Sequence, residues 1–450
     1  MKEACLVFDV LHHLKFVTVF DQSYQVLYKK VEPKTYSFDE DGIECEDLPG
    51  LVAWIIAEIE SLKSSKDFKI TAINFTSYIG ALVHLDSNHQ PVMPVYDIRR
   101  NLGYKINKSI DQALENYPGW RTDLQVAENS FQTVGFQLLW LKITKPDLFV
   151  RVKKSLSIAQ YLQSIFSKQY FHDFSTIGCH SACWSFEKQE YHPWLKEQGL
   201  NSILLPLKNS NETVLADGIH IGAGMYSKIA ELQTFMAIEK DQFILLSTGA
   251  WTACLNPFNS DLVRESDLTN NCFSLLNSDG RIVRMARLFS GNEHSRQIQH
   301  LARHFGHDES HCLNIKFDYR IVKKLRQTVD QVRPQGTELG SMLDSPFMER
   351  NLNSFGCIED AYHQFVMDLV AQQIASIRLT IDHQINRKIY VEGGLAKNQV
   401  FMSLLSEAFF DRIIYKVNFR NTASIGAAIS IANSWNPTPI SAETLEVEAL

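Results

Sequence analysis

Residues 389–430 read IYVEGGLAKNQVFMSLLSEAFFDRIIYKVNFRNTASIGAAIS. A short apolar run with β-branched Ile389 and Val391 stops at Gly393-Gly394, after which Phe401, Leu404, Leu405, Ala408 and Phe409 recur at three- and four-residue spacing. That spells strand, tight glycine turn, helix. Two adjacent residues without Cβ let the backbone approach a flat or charged ligand at the mouth of the strand, where the amides of a helix start also point outward. Such a turn suits a nucleotide, although any α/β domain can carry a Gly-Gly pair at a strand-to-helix turn. A second unit follows at once: residues 413–417 as a strand, then Thr422, Ala423, Gly426, Ala427 and Ala428, small residues that let a helix pack close to its neighbours.

Upstream, the charged run Glu239-Lys240-Asp241 breaks the pattern. Beyond it come an apolar strand at 243–247, a Thr248-Gly249 turn and a second strand at 251–255. The N-terminus opens the same way, with apolar runs at 4–10, 15–20 and 24–29 separated by short turns; the first is nearly all apolar and predicts a central strand with Asp9 near its end, facing the turn. Two strand-turn-strand openings, each followed by helices, predict two copies of one unit, residues 1–238 and 239–450. A ligand cleft is expected between them, at the carboxyl ends of strands.

Within the first copy a helix is expected at 48–62, opened by Asp47 and Pro49, and a strand at 70–75. Residues 81–100, ALVHLDSNHQPVMPVYDIRR, read as a strand, a polar turn and an extended segment leading to Asp97 and Arg99. From 129 to 204 the pattern is mainly helical (FQLLWLK, SLSIAQYLQSIF), with a polar, hairpin-like stretch at 170–184.

The chain is long enough, at 450 residues with 45% hydrophobic and 21% charged residues, for two or three domains. No apolar run is long enough to cross a bilayer, and MKEACLVFDVLHH lacks a long apolar centre and a small-residue cleavage site, so the expected location is the cytoplasm, with no membrane partner. The eight cysteines are scattered, mostly in apolar segments, as buried thiols are. Cys179 and Cys183 with His180 and His192 have a spacing that fits zinc poorly. A net charge of -7 without a basic block argues against nucleic acid.

The order of segments resembles the FGGY carbohydrate kinases, whose halves share the ribonuclease H-like fold of actin and hexokinase. FDVLHHLKF resembles the family's first phosphate loop, INFTSYIGALVHLD its sugar-side strand, VYDIR its substrate-contacting segment and HDFSTIGCHSACWSF the end of the first half. LLSTGAWTA resembles the second phosphate loop, MARLFSGNEH a segment near the nucleotide, and VEGGLAKN the adenosine motif; SxIGCH, GNEH and VEGG are closest to the rhamnulokinase and fuculokinase branch, which acts on deoxy-ketoses. The resemblance implies an α/β protein of two such domains that transfers phosphate from ATP, with Mg2+, to a ketose or deoxy-ketose. It implies a small-molecule sugar or polyol as ligand and a homodimer as assembly. Nucleotide contacts would come from Asp9, Lys15, Thr248, Gly249, Gly393, Gly394 and Asn398, the metal from Asp9, and sugar contacts from Ser77, Tyr78, Asp97 and Arg99.

In that chemistry an aspartate takes the sugar hydroxyl's proton while loop amides hold the phosphates in line. This chain departs from the pattern at those places. The first loop reads Asp9-Val10-Leu11-His12-His13, with Leu11 in the glycine's place; a positive φ there would strain it. Ala250 replaces a threonine, Ile79 a glycine, and Ile221 in GIHIGAG stands where the family has its base. Asp217, one turn earlier if the segment is helical, and His220 are the candidate substitutes. The alternative to a working kinase is a pseudokinase that binds sugar or nucleotide without turnover.

Overall fold

The computed structural model describes residues 1–328, 345–381 and 387–450. The chain forms two compact units, one of Met1–Lys240 with Ser274–Ile282 and Asn421–Thr444, the other of Asp241–Phe273, Val283–Arg420 and Leu445–Leu450. A single cut at 238/239 divides the chain differently, because two later pieces pack with the first unit.

In the first unit the strands Lys2–Val10, Leu14–Asp21 and Val26–Pro33 form an antiparallel meander, and Phe68–Ser77 adds parallel to the first of them. Ile219–Gly222 and the short Met225–Tyr226 run parallel to Phe68–Ser77 in turn. Alternation sorts the central strand's side chains onto two faces. Ala4, Leu6, Phe8 and Val10 pack into a core with Leu48, Leu51, Ile55, Ile59 and Leu62 of the helix Leu48–Lys63, which Asp47 caps by accepting from Gly50 N. The opposite face carries Val7 and Asp9, level with Asn74 and Thr76. It is covered by the helix Thr422–Ser430, whose Ala427 carbonyl accepts from Asn74 Nδ2 at 2.8 Å. The small residues foreseen at 422–428 also let this helix pack close against the helix Ser227–Ile238: at Gly426 a Cβ would run into the Ala230 carbonyl.

The second unit repeats the plan. Phe243–Thr248 and Thr252–Asn256 form a hairpin, Ile282–Leu288 continues it antiparallel, and Lys388–Gly393 then Ile413–Val417 add parallel on the other side. The helix Ile358–Thr380 packs over this sheet in a core of Ile244, Leu246, Ile389, Val391, Phe365 and Leu369.

Three local expectations are corrected. Residues 155–157, expected to be helical, belong to the strand Lys154–Ser157, and the helix starts at Ile158. The hairpin-like stretch at 170–184 is a strand fragment, His172–Asp173, followed by one helical turn, Phe174–Ile177, because the buried Asp173 carboxylate captures the amides of Ser175 and Thr176. The GIHIGAG segment is a strand rather than a helix: Thr213–Ala216 and Ile219–Gly222 form a hairpin turning at Asp217 and Gly218, both with positive φ.

Candidate functional site

Each unit ends its first strand in a turn, at residues 11–13 and 249–251. The turns occupy the same topological place, since Val10 pairs with Ser77 of the parallel neighbour and Thr248 with Gly393 of its own.

In the first turn Leu11 N donates to Leu14 O at 2.9 Å, and none of Leu11, His12 and His13 has a positive φ. The strain expected at Leu11 is absent, because this turn closes with ordinary backbone angles. Asp9 is 1% exposed, and its Oδ1 accepts from Thr76 Oγ1 at 2.6 Å. Burial pushes its carboxyl up to about 7, against the pull of the Thr76 hydrogen bond. Lys15 lies on the other face of the sheet: it pairs with Val10, and its Nζ sits 4.7 Å over the Trp54 ring and 3.6 Å from Glu32. Asp9 and Lys15 are therefore not brought together, because one step along a strand reverses the side chain's face. Ser77 is buried, with its Oγ accepting from Ala159 N at 3.3 Å.

Tyr78, Asp97 and Arg99 do meet, around His12. The His12 ring lies 5.3 Å from that of Tyr78, and its Nε2 is 3.8 Å from Asp97 Oδ1. Arg99 Nε donates to both Asp97 oxygens at 3.0 Å. Burial works to raise the Asp97 carboxyl, and these bonds more than offset it, holding the group below the usual range. Burial pushes His12 down to about 4, with Asp97 pulling upward and His13, Arg99 and Lys34 pushing further down. Beneath lies a buried pair, Lys34 Nζ to Glu46 Oε2 at 2.5 Å, with Glu46 Oε1 accepting from Tyr78 OH and Lys34 Nζ 4.7 Å over the Tyr78 ring. Tyr36 OH donates to the His12 carbonyl at 2.6 Å and contacts His13 Nδ1 at 2.9 Å. Sequence reasoning missed Lys34, Tyr36 and Glu46, which sit in VEPKTYSFDEDGIECED, a stretch as charged as any solvated surface. The one available signal was the aromatic pair Tyr36 and Phe38 among charges.

The hairpin candidates lie elsewhere. Asp217 is exposed at the hairpin tip. His220 is level with Ala72, four residues short of Thr76 and so about 13 Å back along the sheet. Its Nδ1 is 3.4 Å from Thr213 Oγ1. Ile221 is buried opposite Ile73, and the residue level with Thr76 is Met225.

In the second unit Thr248, Gly249, Gly393 and Gly394 converge. Thr248 O accepts from Gly394 N at 2.9 Å, Thr248 Oγ1 accepts from Leu395 N at 3.0 Å, and the same hydroxyl donates to the Glu392 carbonyl. Gly393 has φ +88, and a Cβ there would run into the Thr248 carbonyl. At Gly249 and Gly394 a Cβ would have nothing nearer than 3.5 Å and 3.9 Å, so their backbone stands open. Asn398 caps the helix Gln399–Ala408 through Phe401 N, and its Nδ2 donates to Tyr362 OH at 2.8 Å and lies 3.0 Å from His294 Nε2. Burial pushes His294 down to about 4, so it stays neutral and accepts that proton.

Gly249 and Gly394 are exposed and bring no side chain to crowd a phosphate, while their own N–H groups donate to the Trp251 and Thr248 carbonyls at 3.3 Å and 2.9 Å. Asp9, the residue the resemblance assigns to the metal, is enclosed, with Oδ1 accepting from Thr76. No cluster of three or more His, Cys, Asp or Glu gathers among the described residues.

Fold and turns together define a two-domain α/β protein built on a repeated meander with parallel strands added. Residues 11–217 match the N-terminal domain of the FGGY family of carbohydrate kinases, and residues 240–439 the carbohydrate kinase FGGY C-terminal domain. The chain belongs to the FGGY carbohydrate kinase family. Among solved structures it is similar to a carbohydrate kinase from Novosphingobium aromaticivorans (18% identity, TM-score 0.80, covering 100% of this chain and 94% of that one). It is also similar to a ligand-bound xylulose kinase from Lactobacillus acidophilus (13%, 0.76, 100% and 93%) and to Plasmodium falciparum glycerol kinase with ADP (13%, 0.74, 96% and 90%). No curated protein matches the chain. No described helix is long and apolar enough to cross a membrane.

Proposed function

We propose that this chain is an ATP- and magnesium-dependent kinase of a small polyol, a ketose or deoxy-ketose. The observation that carries the reading is the glycine-lined turn of the second unit, where Thr248 orders the strand mouth and no side chain crowds the exposed backbone at Gly249 and Gly394. Bound magnesium and triphosphate supply the electrophilic phosphorus and neutralise its charge. Thr248, Gly249, Gly393, Gly394 and Asn398 would shape the nucleotide's seat, and Asp9 is the carboxylate that would hold the cation. Tyr78, Asp97 and Arg99 offer a ring and a hydrogen-bonding pair to a polyol, whereas Ser77 serves the fold and Lys15 packs on Trp54. The deoxy-ketose preference rests on the SxIGCH, GNEH and VEGG segments.

One observation favours the alternative of binding without turnover: level with Asp9 and Thr76 the neighbouring strand carries Met225, which accepts no proton. Calorimetric titration with MgATP, glycerol, D-xylulose and L-rhamnulose, run beside a coupled ADP-release assay, separates the two. ADP release dependent on one sugar supports the kinase. Heat of binding without ADP release establishes the binder and overturns the kinase.

A further inference from the structure

Apart from the first turn and the Tyr78 cluster, the first unit holds a cavity of about 320 Å³ that the kinase reading does not use. It opens between the last turns of the helices Ser227–Ile238 and Thr422–Ser430, the short helix Ala432–Trp435 and the turn at residues 277–281, all parts of that unit. Such junctions are ordinarily filled by apolar side chains, or by amides paired with one another. This one is neither.

Four carboxamides line it, those of Asn211, Gln233, Asn277 and Asn433. Asn277 Oδ1 is spent on the turn, accepting from Asp279 N at 3.1 Å and from Arg281 N at 2.9 Å, and Gln233 Oε1 accepts from Ser278 Oγ at 3.1 Å. The Nδ2 of Asn277, a residue only 9% exposed, and the Nε2 of Gln233 have no protein partner among the described residues. The exposed amides of Asn211 and Asn433 have none at either end. Charge is balanced at the mouth, where Arg281 Nε donates to both Asp279 oxygens at 3.1 Å and 2.9 Å and Nη2 lies 2.7 Å from one of them. No other lining residue is charged, and Met236 and Ile429 add apolar surface beside the amides.

A carboxamide presents two N–H donors and a carbonyl acceptor at fixed spacing, so several together match a ligand that carries donors and acceptors on adjacent atoms. Neighbouring hydroxyls on a carbon chain or ring do so, and leave C–H faces for Met236 and Ile429. A phosphate ester fits poorly, because the one cation is already forked to a carboxylate and the ester's charge would enter unanswered. The volume lies at the small end of ligand cavities, the size of a single sugar unit. We propose that this cavity binds an unphosphorylated monosaccharide or its polyol, at a site separate from the substrate contacts Tyr78, Asp97 and Arg99, none of which lines it. The proposal goes beyond the kinase reading and does not depend on it.

The test uses the full chain labelled at its methionine and isoleucine methyl groups, with D-xylulose, L-rhamnulose, glycerol and inorganic phosphate as probes. Met236 and Ile429 lie in the wall, so their methyl resonances report on this cavity directly. They are expected to shift saturably with at least one of the neutral probes, and to do so equally in Arg99→Ala, where the other sugar contact is lost. Gln233→Leu with Asn433→Leu removes two amides and should weaken that titration about tenfold. Asn433→Leu alone, at an exposed side chain without a partner, should weaken it about threefold with the melting temperature unchanged, which keeps the test decisive if the double variant folds poorly. Methyl signals that no neutral probe moves overturn the proposal, as do titrations that match wild type in Asn433→Leu and the double variant. A stronger response to phosphate than to every neutral probe overturns the assigned ligand class. ADP release plays no part in the readout, so this proposal and the kinase reading can each fail without the other.

Discussion

The turns at residues 11–13 and 249–251 stand at the same place in two copies of one sheet plan, yet they are built from opposite materials. The second is made of backbone: Gly249 and Ala250 are exposed, and Gly393 must be glycine because its φ is +88 and the Thr248 carbonyl lies where a Cβ would go. The first is made of side chains. Leu11, His12 and His13 keep ordinary angles, and an ion pair, two tyrosines and an Asp-Arg fork support the imidazoles. A turn of bare backbone leaves room for a bulky anion, and a turn that presents rings and carboxylates can sort hydroxyls. The two units share a plan of hydrogen bonds between strands and differ in the chemistry at the strand mouths.

The comparison breaks most readily at Gly393. Gly393→Ala is expected to cost about 4 kcal/mol, from the left-handed backbone and the displaced Thr248 carbonyl together, measured by urea denaturation. A loss below about 1 kcal/mol would show that this turn does not need its glycine. Next comes the buried pair under the first turn. Glu46→Gln leaves Lys34 without its anion and should cost about 3 kcal/mol, whereas Lys34→Met with Glu46→Gln should recover part of it.

A third effect, on the order of 2 kcal/mol after local relaxation, belongs to Asp9. Its carboxyl is raised in the folded chain, so the native state binds more protons than the unfolded one between the ordinary carboxylate range and about pH 7. Stability from this group is complete below that range and is lost as pH rises through about 7. Melting temperature should fall from pH 5 to pH 8, less so in Asp9→Asn, and magnesium should lift it at pH 8 only where Asp9 is present. A flat wild-type profile would remove Asp9 as a buried, cation-ready carboxylate. The smallest effect is expected at Leu11. Because φ is ordinary there, Leu11→Gly should destabilise by roughly 0.5–1 kcal/mol rather than relieve strain. Stabilisation would mean that the first turn still favours the glycine geometry of the second.

Much of the fold was legible in the chain. The apolar runs at 4–10 and 243–247, the Gly393-Gly394 stop and the small residues of 422–428 each state a local requirement that neighbours cannot override. The strand at 219–222 was harder, since IHIG lies between glycines and carries no helical or alternating period long enough to choose. Of the candidate site, Thr248 with Gly249, Gly393 and Gly394, and Tyr78 with Asp97 and Arg99, are brought together. Asp9 and Lys15 are parted by the sheet's two faces, and Asp217 and His220 are left at or near a hairpin tip.

What the sequence determined by itself is the kind of thing a local pattern can encode: strands from apolar runs, a glycine where the backbone must turn left-handed, and the repetition of one plan in two halves. What only the tertiary structure decided is which distant charges meet. Lys34, Glu46, Asp97 and His12 lie in separate segments with no spacing rule between them: the end of the meander sets Lys34 against the His13 carbonyl, and a separate hairpin of Tyr36–Phe38 and Glu44–Glu46, bridged at Cys45 to Tyr96, brings in Glu46 and Asp97. Burial then removes the water that would screen them, and so makes a lysine, a glutamate and an imidazole act on one another at all.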